Sequence, residues 1–216
     1  MRRTGAVTLK RRGVAAFIVL GFAAPAVFFS SNPTYAEGPL VTEMTEPRFW
    51  AIIAESTPFE ADTDRQSAVL RASLEKLTPA ELEGYERIFD RLMKESYSWD
   101  LWGAAYLANG GASDDGFEYF RCWLISKGEG IFRKVSAHPD SLAEILAKDS
   151  GGELEFEEFA YIARDVWGKK TGRDPGDMPG AAAMMYDTKP SGIPFHEDPT
   201  SLMKRYPKLW ARFAAN

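Results

Sequence analysis

The residues best suited to chemistry are four carboxylates and one arginine within a short stretch: Asp100, Asp114, Asp115, Glu118 and Arg121. On a helix, Asp114, Asp115 and Glu118 fall within the first turns. Carboxylates so spaced can share a Mg²⁺ ion or supply an acid and a base. The two aspartates equally suit a plain helix N-terminus, where the backbone dipole favours negative charge. Arg121 adds a constraint. At about 100° per residue it lies between Phe117 and Leu124 on the apolar stripe, and an unpaired charge buried there is costly. Asp114, earlier on the same side, and Asp100, on the preceding helix, are its expected partners. Three readings stay open: a buried salt-bridge network, a ligand or substrate site, and a metal site.

Other candidates carry less. Trp99, Trp102 and Trp123 could line a cleft, but aromatic residues at helical spacing ordinarily form core. Cys122 is the single cysteine, so an intramolecular disulfide or a multi-cysteine metal site is excluded, and with no histidine near in sequence it reads as an inert buried thiol. The acids of Asp149-Ser150-Gly151-Gly152-Glu153 resemble a calcium loop, but the required glycine is displaced and Ala160 occupies the twelfth position. His138 reads as a neighbour of a helix start, and His196 has no evident partner. A phosphate-cradling glycine loop, a serine nucleophile elbow and a zinc-protease motif are all missing from the sequence. No cofactor is expected, and no metal ligand set is assigned.

The elements that must position these residues are helices. Thr45 before Glu46-Pro47 starts one, with Phe49, Trp50 and Ile53 apolar. A second runs from Asp62 to Leu77. Thr78-Pro79-Ala80-Glu81 is a capping box opening a third, whose buried stripe is Leu82, Tyr85, Phe89, Leu92 and Met93. Its opposite, solvent-facing side is expected to carry Glu83, Glu86, Arg87, Asp90, Arg91 and Lys94. A fourth helix, Ser98 to Ala108, is apolar nearly all round and therefore central. Asn109-Gly110-Gly111 stops it, and Ser113 caps the fifth, which Gly128 ends. A sixth begins near Pro139, and a seventh spans Glu153 to Trp167. Residues 173–199 are rich in proline and glycine, and Leu202 to Phe213 suggests one or two short helices docking back. The expected fold is all-α: one compact multi-helix domain of about six to eight helices over 44–168, with an irregular extension over 169–216.

Composition sets the class and the partners. Six tryptophans and fourteen phenylalanines argue for a real core. Residues 1–36 hold five basic residues and no acid, and leaving them out takes the net charge from −5 to −10. So acidic a body disfavours nucleic acid as a partner. The same stretch reads as an export signal: a basic start, an uncharged run from Val14 to Phe29, then Thr34-Tyr35-Ala36. The run is shorter than the ~20 residues of a membrane span, so no stable span is expected in the mature chain. The alternative is translation from Met44 and a cytoplasmic protein.

Trp99-Asp100-Leu101-Trp102, Gly111 to Phe117, Phe120 to Ser126, Gly128 and Pro139-Asp140-Ser141-Leu142, with the Phe49-Trp50 opening, resemble an uncharacterised bacterial family. It is numbered 4240 among the domains of unknown function, and the likeness covers roughly 46–147. The resemblance implies no established activity and assigns no catalytic residue. Some members resemble fusions in bacterial regulators linked to molybdate metabolism, which implies interaction or regulation. Members usually begin just before the Phe-Trp pair, which supports Met44 as a start. The function expected is a non-catalytic binding or regulatory module for an unknown protein or small molecule. The alternative is a carboxylate-based hydrolase or transferase, with or without Mg²⁺, at Asp100, Asp114, Asp115 and Glu118.

Overall fold

The computed structural model describes residues 43–146, 154–180 and 189–214. The export-signal reading of 1–36 and the calcium-like segment Asp149 to Glu153 lie outside these. Among the described residues the chain is all-α, with ten α-helices rather than six to eight. None of them is long and apolar enough to cross a membrane.

Local chemistry accounts for the first five helices. Helix α1, Glu46–Ser56, starts where the Thr45 side chain accepts from the Arg48 amide, and it buries Phe49, Trp50, Ile52 and Ile53. Asp62 caps α2, Thr63–Leu74, which ends a turn earlier than Leu77. Helix α3, Pro79–Glu95, has its capping box closed: Thr78 N donates to Glu81 Oε2 at 2.7 Å, and Glu81 N donates to Thr78 Oγ1 at 3.3 Å. Ser98 caps α4, Trp99–Asn109, and Gly110 ends it at φ 71°, a left-handed conformation that favours glycine. Ser113 caps α5, Asp114–Ser126, by accepting from Gly116 N at 3.1 Å.

Beyond Gly128 the pattern departs from expectation. An unforeseen helix, α6, spans Glu129–Ala137 and buries Phe132 and Val135. A 3₁₀ turn, Pro139–Ser141, leads into the short α7, Leu142–Ile145. The helix expected from Glu153 to Trp167 is two elements: a 3₁₀ turn, Glu157–Ala160, and α8, Ile162–Thr171. Phe156, Phe159 and Ala163 sit at steps both elements accommodate, so the apolar spacing did not reveal the break at Tyr161.

Helix α3 packs on α8, α1 on α2, and α5 against α3, α4 and the 157–160 turn. Every residue of α5 from Phe120 to Ser126 is buried, as expected of an element enclosed on all sides. The terminal segment joins the same core: Leu202 on α9, Pro199–Arg205, Leu209 on α10, Pro207–Leu209, and Tyr206 between the two helices are buried. A π turn, Trp210–Ala214, follows. Asp140 caps α10, accepting from the amides of Lys208 and Leu209 at 3.1 and 2.9 Å. Arg212 donates to the carbonyls of Ala143 and Leu146, satisfying acceptors around the end of α7. Among the described residues a single bridge pairs Ser98 with Ser191, through Trp99 N to Ser191 O at 2.9 Å and Ser191 N to Tyr97 O at 3.0 Å.

Candidate functional site

Arg121 is 1% exposed, the second-largest fully buried side chain among the described residues. Its Nη1 donates to Met93 O at 2.6 Å and its Nε to Phe117 O at 3.3 Å. The guanidinium also lies over the rings of Tyr97 and Phe117, 4.8 and 4.9 Å from their centroids. Met93 is in the last turn of α3, where carbonyls lack partners within the helix and the dipole is negative. The tertiary fold thus gives the buried cation a helix C-terminus to sit on.

The expected salt bridge from Asp100 to Arg121 is corrected. The Asp100 side chain is 57% exposed and takes Arg205 Nε on its Oδ1 at 2.6 Å. Its position near the start of α4 turns it outward, toward the tail. Asp114 and Asp115 are exposed in the first turn of α5, where they meet the dipole. Glu118 is half-buried, and burial raises its carboxyl above the usual range, with Arg121 and Arg164 pulling it down and Asp115 pushing it up. Asp100 is therefore separated in role from the α5 acids: one ties the tail, the others serve one helix.

Three charged residues near the core escaped the sequence reading. Glu86 and Asp90, assigned to the solvent face of α3, are 1% and 5% exposed. Arg164, on α8, meets them: its Nε donates to Glu86 Oε1 at 2.5 Å and its Nη2 stands 3.8 Å from Asp90 Oδ1. The correction has a geometric cause. At about 100° per residue Glu86 falls some 40° from Leu82 and 60° from Phe89, inside the buried stripe. Burial pushes Glu86 up to about 7, against the pull of Arg164 and with the repulsion of Asp90. It pushes Asp90 up to about 6, against Arg164 and Lys94. Cys122 is fully buried beside this group, and burial pushes its thiol far above the ordinary range, which disfavours the thiolate.

The aromatic candidates are mostly packing. Trp99 stacks on Trp102 at 5.1 Å and Trp102 on Phe117 at 4.9 Å, with Trp102 Nε1 donating to Ala112 O. Trp123 differs, because it lines a groove of about 340 Å³ with Lys127, Ile131, Ile145, Leu146 and Leu154. A second groove, of about 370 Å³, runs along Ile193, Pro194, Phe195, His196, Leu202 and Arg205. Neither is lined by Asp114, Asp115 or Glu118. His138 ends α6 before Pro139. Among the described residues no three His, Cys, Asp or Glu side chains are grouped to hold a metal ion.

Compared with curated proteins and with solved structures, the chain has no significant match in either. A family model described as "Protein of unknown function (DUF4240)" matches residues 44–169, from just before α1 to within α8, and the chain belongs to that family.

Proposed function

We propose that this chain is a binding or regulatory module, one that holds a protein or small-molecule partner without transforming it. The observation that carries the reading is the sealing of Arg121 against the end of α3, away from any substrate arriving through solvent. The carboxylates that would serve catalysis have other work: Asp100 ties down Arg205, and Asp114 and Asp115 complement the dipole of α5. Apolar surface is exposed elsewhere, at Ile193 (76%) beside the second groove and at Met203, as a binding role requires. The acidity of the chain beyond residue 36 argues against nucleic acid as the partner.

One observation favours a hydrolase or transferase instead. Glu118 is a half-buried carboxyl that burial raises above its usual range, against the pull of Arg121 and Arg164, a suitable state for a general acid. Thermal unfolding of the full chain with Mg²⁺, Mn²⁺, Ca²⁺ or Zn²⁺ separates the two. The module reading expects no shift in midpoint. A stabilisation by any of these ions that disappears in Glu118→Gln or Asp115→Asn would overturn it.

The reading includes export, with cleavage after Ala36, against the alternative of a cytoplasmic protein begun at Met44. The N-terminal residue of the purified mature chain decides: Glu37 supports export, and Met44 or Thr45 returns the protein to the cytoplasm.

A further inference from the structure

Two carboxylates are buried on one face of α3, and one guanidinium serves both. Arg164 reaches Glu86 with a direct bond at 2.5 Å but stands 3.8 Å from Asp90, beyond hydrogen-bond length. Both oxygens of Asp90 and the Nη2 of Arg164 are buried without a hydrogen bond. Among the described residues, no second cation makes an ion pair with either carboxylate. On α3, Tyr85 is a buried phenol beside Glu86, while Arg87 and Lys94 are exposed, Lys94 acting on Asp90 from there. On α5, Glu118 adds a third acid, Cys122 is a neutral thiol, and Arg121 is committed to Met93 O and Phe117 O. On α8 and the turn before it, Asp165 and Glu158 engage Arg71, and Glu157 is a further acid acting on Glu118. From the segment after α8, Gly180 comes close, a β-carbon there lying 3.9 Å from Asp90 Oδ2.

Glu86 and Asp90 are therefore two buried carboxylates with one guanidinium, Arg164, within ion-pair distance of both, and half-buried Glu118 is a further acid near that guanidinium. An uncompensated buried carboxylate is costly, and the lower-energy solution is to keep a proton. We propose that Glu86 and Asp90 share one buried proton in the folded domain, and that its loss loosens the packing of α8 on α3. With the proton in place, one carboxyl is neutral and Arg164 neutralises the other acid. Without it, two anions on adjacent turns of one helix repel across a single guanidinium, and the element carrying that guanidinium bears the strain.

Both carboxyls bind the proton more tightly folded than unfolded, with folded values of about 7 and about 6. Their contribution is fully present at pH below the ordinary carboxylate range and is lost as pH rises through those two values.

The test uses the full chain. Urea unfolding from pH 5 to 8 should show the unfolding constant of the wild type rising about tenfold or more. Asp90→Asn should flatten that rise, and exchange of the α8 amides, corrected for intrinsic chemistry, should accelerate with pH in the wild type only. A flat wild-type profile, or a slope unchanged in Asp90→Asn, overturns the proposal. Should the variant fail to fold, carboxyl ¹³C titration of the wild type decides. Either the Glu86 or the Asp90 carbon titrating near neutrality supports the retained proton, and both titrating in the ordinary carboxylate range refute it.

Discussion

The phenol of Tyr206 lies in the space that a side chain at Gly103 would fill. A β-carbon there would come within 2.8 Å of Tyr206 Cζ, and the hydroxyl, closer still, donates to Asp100 O at 2.9 Å. The glycine in α4 is thus the socket for a buried aromatic of the terminal segment. It joins residues about a hundred positions apart and makes that segment part of the core.

Filling the socket should expel the ring. Gly103→Ala is expected to destabilise the chain by about 2–3 kcal/mol in urea unfolding, an overpacking cost that outweighs the better helix propensity of alanine. Tyr206→Phe should cost only about 1 kcal/mol, the value of one hydrogen bond. Combined, the two changes should cost less than their sum, because the hydroxyl is the atom nearest the added methyl.

Arg121→Met should cost about 3 kcal/mol by the same measurement. The loss comprises the bonds to Met93 O and Phe117 O and the contacts with Tyr97 and Phe117. Arg121→Lys should recover little, since an ammonium cannot reproduce the flat, forked contact.

The Asp100–Arg205 pair should behave as a surface ion pair. Asp100→Ala is expected to cost less than about 1 kcal/mol and to matter less still in high salt. Arg205→Ala should cost more, because its guanidinium also holds the carbonyls of Ile193 and Pro194 at 2.8 and 3.1 Å. Limited proteolysis near residue 193 would read the difference as faster cleavage in Arg205→Ala than in Asp100→Ala.

Acid should weaken the fold from the opposite direction to Glu86 and Asp90. Hydrogen bonds from Lys208 and Lys134 hold Glu144 down at about 2, so its stabilising share is present above the ordinary glutamate value and is lost as pH falls through about 2. The pair is exposed and screened, so the effect should shrink in high salt. Stability plotted against pH should therefore pass through a maximum in the mildly acidic range, and Glu144→Gln should flatten only the acid limb.

Helix starts were legible because capping is local: Thr78 with Glu81, Ser113 with Gly116 and Asp62 with Arg65 are three residues apart in sequence. Helix α6 was missed because it opens on Gly128-Glu129-Gly130, a sequence that reads as a loop and becomes helical when Phe132 and Val135 find the core. The site was half legible. The angular position of Arg121 declares burial, yet its bond to Met93 O reaches a carbonyl 28 positions away, which no spacing rule finds.

What the amino-acid order determined by itself is the all-α class, the caps, and which residues share a helical face, since these depend on neighbours within a few residues. Only the tertiary structure decided that Glu86 and Asp90 meet Arg164 instead of water, that Arg121 closes α3, and that Tyr206 occupies the gap over Gly103. The physical reason is that the energy of a charge depends on what covers it, and on these faces the covering element comes from a distant part of the chain.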